Sequence, residues 1–136
     1  MTAPTIDRVE EILRGQPTAE TLAWLRNGFE RHLAGESLAG ALGIHAAFPR
    51  GLRDGVLRAR WRAKLSEAID LLNTDSVSAW SIALILEAEF ARQARSHRPP
   101  RSELERIIHE CRATYTAPAT NASALWHEIK RHRDTQ

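Results

Sequence analysis

Apolar residues recur at spacings of three and four along almost the whole chain, and β-branched residues nowhere alternate with polar ones at period two, so the pattern predicts helices and no strand. A short helix is predicted over Ile6–Arg14, with Ile6, Val9 and Leu13 on one face and Gly15 placed to end it. Pro17 and Thr18 open a second, in which Leu22, Leu25, Phe29 and Leu33 read as a core stripe ending at Gly35. Ser37 is placed to cap a short helix through Leu42, stopped by Gly43. The stretch His45–Gly51 reads as a loop, because Pro49 disfavours helical backbone at Phe48.

The longest predicted helix covers Leu52–Asn73, with a seam of Leu57, Trp61, Leu65, Ala68 and Leu72 and with Ile69 at its edge. Its opposite face carries Ala59, Ala63 and Ser66, small enough to admit a second helix or a partner closely. Asp75 or Ser76 is the expected cap of the next helix, which runs to Arg95 and is apolar nearly all round between Val77 and Leu86, the pattern of a helix buried on most sides. Pro99-Pro100 makes a stiff connector, and Ser102 with Glu105 has capping-box spacing ahead of an inward row of Leu104, Ile107, Ile108 and Cys111. A loop over Thr114–Thr120 precedes a last helix with Leu125, Trp126 and Ile129. The expected fold is therefore all-α: a compact single-domain bundle of about six to seven helices over residues 1–136, with residues 1–15 as a loosely packed N-terminal helix.

Composition narrows the functional classes. A hydrophobic fraction of 43% and a charged fraction of 26% are ordinary globular values. A single cysteine rules out an intramolecular disulfide. The first residues lack the basic and apolar regions of a secretory leader, and the apolar run Ile82–Leu86 is far short of the roughly 20 residues that cross a bilayer. The expectation is a cytoplasmic protein with no membrane role.

The formal charge is only +2, but its distribution is uneven. Residues 1–49 hold four basic and six acidic side chains, and residues 65–136 hold nine and ten. All the positive excess lies in residues 50–64, where Arg50, Arg53, Arg58, Arg60, Arg62 and Lys64 face Asp54 alone. On a helical wheel Arg53, Arg60 and Lys64 fall on one side of the Leu57–Trp61–Leu65 seam, and Arg58 with Arg62 on the other. Phosphate recognition favours one continuous basic stripe, so this divided arrangement points first to solvated or internally paired arginines, next to contacts with a protein partner, and last to nucleic acid. Of the 19 basic residues 17 are arginine, a bias that a GC-rich genome produces by itself.

Catalytic chemistry finds little purchase. None of the six histidines, His32, His45, His97, His109, His127 and His132, pairs with another at i,i+4, and His127-Glu128 departs from the zincin pattern because Arg131 stands where its second histidine belongs. Cys111 and His109 point to different sides of a helix, and Cys111 reads as a small core hydrophobe. Glu87 and Glu89, two apart, do not share a face for acid and base work. There is no Gly-rich phosphate loop and no nucleophile elbow, so no catalytic residue, metal, cofactor or small-molecule substrate is expected. Ala39, Gly43 and Ile44 match the first half of a helix-turn-helix, yet Pro49 falls inside the would-be recognition helix, where proline costs about 3 kcal/mol; a short helix ended by Gly43 is the favoured reading. Trp24 and Trp126 lie off the main stripes of their helices and are candidate exposed anchors, whereas Trp61 and Trp80 read as core.

Ser37-Leu38, Ala41-Leu42-Gly43, Arg53-Asp54 with Leu57, Trp80 with Ala83, Pro99-Pro100 before Ser102-Glu103-Leu104, and Pro118 before Leu125 occur in an order that resembles a group of small helical proteins encoded by phages and prophages of GC-rich proteobacteria. The likeness covers about two-thirds of the chain and carries over no site residue. It implies a mobile-element origin, in which small non-enzymatic proteins that block host machinery are common. Two functions follow as expectations. The first is a binding protein that docks on a protein or ribonucleoprotein surface, such as a host defence complex, through Arg50–Lys64, in the manner of anti-CRISPR proteins. The second is a DNA-binding regulator or packaging accessory protein using Ser37–Lys64.

Overall fold

The computed structural model describes residues 4–74 and 76–135. Among them are eight helices and no strand: α1 (Thr5–Leu13), α2 (Ala19–Leu33), α3 (Leu38–Ala41), α4 (Ile44–Ala47), α5 (Leu52–Leu72), α6 (Ala79–Arg95), α7 (Glu103–Thr114) and α8 (Ala122–Asp134). The all-α class is as expected; the helix count is one higher because Ile44–Ala47 winds a single turn inside the expected loop. Gly43, at φ +72°, ends α3 and turns the chain straight into α4. Phe48 is already out of helical conformation at φ −130° and ψ 77°, so the restriction imposed by Pro49 acts at that one residue and spares the turn before it. The expected cap at Asp75 lies outside the described residues. Ser76 does not cap α6: the Ser78 hydroxyl does, accepting from the Ser81 N–H at 3.1 Å.

Residues up to Val56 form one compact unit and those from Leu57 onward another. In the first, α1 is held to α2 by polar groups. The Glu11 carboxylate accepts from the Thr18 N–H and from the Thr21 hydroxyl, both at 2.9 Å, and the Thr18 contact holds Glu11 below its ordinary value. Arg8 is buried, paired with Glu20 at 3.1 Å and lying 5.4 Å over the Trp24 ring. Further along α2, Leu42 beyond α3 packs directly on Gly28, where a Cβ would overlap its side chain, and Phe48 sits on Gly55 in the same way.

This packing overturns the expected stripe of α2. Thr21 and Gly28 are the buried positions, while Leu22, Phe29 and Leu33 face solvent, roughly 110° away around the axis. Small residues allow close approach of neighbouring backbone, and the ion pair at Arg8 draws α1 onto the same side, so hydrophobicity alone misplaced the covered face. In α1 likewise, Arg8 is turned inward and Leu13 outward.

The second unit has a conventional core. Trp61, Leu65, Ala68 and Ile69 of α5 meet Ile82, Ala83, Leu86 and Phe90 of α6, Ile107, Ile108 and Cys111 of α7, and Leu125 and Ile129 of α8 in one buried cluster. The predicted α5 seam holds at its centre; Ile69 is fully inside it, whereas Leu57 and Leu72 are only partly covered. Polar contacts fix the helix ends. Glu87 accepts from the Ala122 N–H at the start of α8 at 2.6 Å, and Arg133 near its end donates to the Asn73 side chain at 2.8 Å and the Val77 carbonyl at 3.0 Å. Ser102 caps α7 through the Glu105 N–H at 3.1 Å, but Glu105 returns its bond to the Arg101 N–H at 2.5 Å, one residue upstream of the capping-box position.

Candidate functional site

The basic side chains from Arg50 to Lys64 meet several different fates. Arg50 is exposed in the loop after α4 and Arg53 in the first turn of α5. Arg58 lies 6.0 Å over the Tyr115 ring, and Arg62 turns to α8, where its Nε donates to both carboxylate oxygens of Glu128 at 3.0 and 3.3 Å. Lys64 sits between two acids, 3.1 Å from Glu67 and 2.9 Å from Glu110. Glu110, and then Glu67, raise the Lys64 ammonium above its ordinary value, and Lys64 with Arg106 holds Glu110 below its own. Arg62 and Lys64 therefore have their charge met within the molecule. Arg60 is exposed and shares with Lys64 an open groove of about 490 Å³ between α5 and the end of α7, floored by Leu57 and Ala63 and rimmed by Glu67 and Thr114. Ala63 was expected on the small-residue face, and it is this groove that it opens.

Groups with catalytic potential lie in two places among the described residues, the core at Cys111 and a cavity at the end of α6. Cys111 is wholly enclosed, and burial pushes its thiol up to about 12, the opposite of what a nucleophile needs. Among the described residues no cluster of three or more His, Cys, Asp or Glu side chains could hold a metal ion. A cavity of about 230 Å³ where α6 runs out against α7 gathers His97, His109, Arg92, Arg98 and Arg112. The carboxylates beside it already serve arginines: Glu105 takes Arg92 at 3.0 Å and Arg98 at 2.5 Å, Glu89 also pairs with Arg92, and Arg112 donates to the Gln93 carbonyl at 2.8 Å. The cavity thus sets two imidazoles beside guanidinium groups whose own partners lie within the molecule.

The apolar pattern of α6, expected to be buried on most sides, is contradicted on one face, which is left open to water. On α6, Trp80 is 49% exposed, with Leu84 and Ile85 nearly as open and the small Ala88 and Ala91 continuing the Trp80–Leu84 row. No family model, curated protein or solved structure matches this chain. Its function must therefore be read from such surfaces. Trp80 is the exposed tryptophan; Trp24 is half-buried under Arg8, and Trp126 packs against the core with the Lys130 ammonium 5.8 Å from its ring, so neither is the open anchor that its off-stripe position suggested. The signal was present in the sequence: a helix apolar on every side needs neighbours on every side, and the second unit has three other helices to offer.

Proposed function

We propose that this chain is a non-catalytic binding protein that acts by docking on a protein or ribonucleoprotein partner. The observation that carries the reading is the solvent-facing Trp80–Leu84–Ile85 surface of α6. A half-exposed tryptophan beside two exposed aliphatic residues, on a helix whose other face is fully packed, is the composition of an interface centre, where a few large side chains supply most of the affinity. The exposed Arg50, Arg53 and Arg60 would contribute attraction toward an acidic partner more than they would contribute affinity. The resemblance to phage and prophage proteins gives this role its specific form, a small protein that occupies the surface of a host defence complex. DNA binding has less support: α4 has four residues, too short to lay a recognition helix along a major groove, and Arg62 and Lys64 are already paired.

The test is affinity capture from host lysate with three proteins: wild type, Trp80→Ala/Leu84→Ala, and Arg58→Glu/Arg60→Glu/Arg62→Glu. Loss of a captured complex with the α6 variant supports the proposal. Loss with the arginine variant alone moves docking to the basic segment, and capture unchanged in both removes both surfaces. Binding to DNA at low salt that weakens steeply as salt rises, by about one log-log unit per phosphate contact, would favour the regulator reading instead.

A further inference from the structure

Leu22, Arg26, Phe29 and Leu33 follow one another on α2 at spacings of four, three and four and form a single row open to water, with Leu33 86% exposed and Leu22 and Phe29 about half exposed. α1 and α3 cover the other side of the helix, at Thr21 and Gly28. A row with this spacing is the seam by which two helices pair. Its charges say which helix it takes. Arg26 lies within the row and Glu30 on one flank, and among the described residues neither has an ion-pair partner.

We propose that the row is covered by a second copy of this chain, with the two α2 helices antiparallel. A two-fold axis near Asn27 and Gly28 places Leu22 opposite Leu33 of the other copy. The same axis sets Arg26 on the face of the other copy's Phe29 and within reach of its Glu30, twice over by symmetry. The parallel arrangement would stack Arg26 on Arg26, and in that arrangement the flank carrying Glu30 would meet Leu25 and His32 of the opposite flank, so the charge pattern selects the antiparallel pair. A 15-residue helix is about 22 Å long, and contact along it falls short of the roughly 800 Å² per partner of a standard stable interface. The dimer is accordingly weak, with a Kd on the order of 10⁻⁵ M. This pairing is independent of the docking role of α6.

The full-length protein tests it by sedimentation or light scattering across a dilution series from low micromolar to sub-millimolar. Wild type is expected to pass from monomer to dimer, and Arg26→Glu and Glu30→Arg each to weaken the dimer by about tenfold or more, since each sets like charges against one another at two symmetric places. All these positions are exposed, so helical circular dichroism should be unchanged. Mixing the two single variants sets two carboxylates of one against two guanidinium groups of the other, so the mixture dimerises more tightly than either variant alone; the decisive arm for orientation is Glu30→Arg, which weakens only the antiparallel pair, because in the parallel one position 30 meets Leu25 and His32. The doubly exchanged Arg26→Glu/Glu30→Arg chain should likewise recover the homodimer. A wild type monomeric at every concentration overturns the inference, as does a dimer that Glu30→Arg leaves at full strength, or a mixture that fails to pair.

Discussion

Cys111 shows at the scale of one residue how burial decides chemistry. Its place beside Ile107 and Ile108 was legible from helical spacing, and the surrounding core removes the water that a thiolate would need, pushing the thiol up to about 12. The native protein at mildly alkaline pH should therefore leave a thiol-specific disulfide reagent unreacted, and should release one equivalent of chromophore only after denaturation; rapid reaction of the native state would mean that this helix opens readily. Carboxylates make the reverse case. Glu89 is held below its ordinary value of 4.5 chiefly by Arg92, Glu110 by Lys64, and Glu103 by Arg106. A depressed folded-state value stabilises the fold while the group is ionised, above about pH 4.5, and that contribution disappears as pH falls through the depressed value. Thermal melts should thus hold steady from neutrality down to about pH 4.5 and then drop on further acidification, modestly because these pairs are largely open to water. A melting temperature that rises in that range would contradict the assignment.

At the scale of the helix, the sequence was most informative where one period ran long enough to average out exceptions. Over the 21 residues of α5 the seam from Trp61 to Ile69 is placed well, and the proline and glycine signals put most helix ends within a residue or two. In α2 the apolar periodicity points to the wrong face, because the largest apolar residues outweigh Thr21 and Gly28 in any hydrophobic average. Smallness, which lets Leu42 approach the helix backbone, carries no weight in such an average. This has a measurable consequence. Gly28→Ala should gain about 1 kcal/mol from helix propensity. It should lose more, about 1 to 3 kcal/mol, by forcing a methyl group against both Cγ and Cδ2 of a buried leucine. Net destabilisation in urea unfolding is expected. A variant more stable than wild type would show that Leu42 turns aside freely and that Gly28 does not set where α3 lies. The one-turn α4 escaped notice for a related reason: four residues are too few for any period to appear, and its existence rests on the left-handed backbone at Gly43.

Across the whole molecule the apolar core is unequally shared. The contiguous cluster from Trp61 to Ile129 lies entirely in the second unit, whereas the buried apolar side chains of the first are Ala41, Leu42, Phe48 and Val56, together with Arg8 and Thr21 among the polar ones. Burial of large apolar side chains is the main term that offsets the entropy lost in ordering the backbone, and that loss falls on every residue wherever it lies in the chain. The second unit has a large apolar core to set against it, whereas the first has a small one helped by polar contacts at Arg8, Glu11 and Thr18. Amides of α6, α7, α8 and the central part of α5 should consequently be the slowest to exchange with deuterium. Those of α1 to α4 should exchange through openings of markedly lower free energy, a separation readable peptide by peptide in the intact chain. If the two sets instead exchange together at the global rate, residues 1–136 fold as the single cooperative domain that length and composition suggest, and the first unit draws its stability from contacts other than its own core.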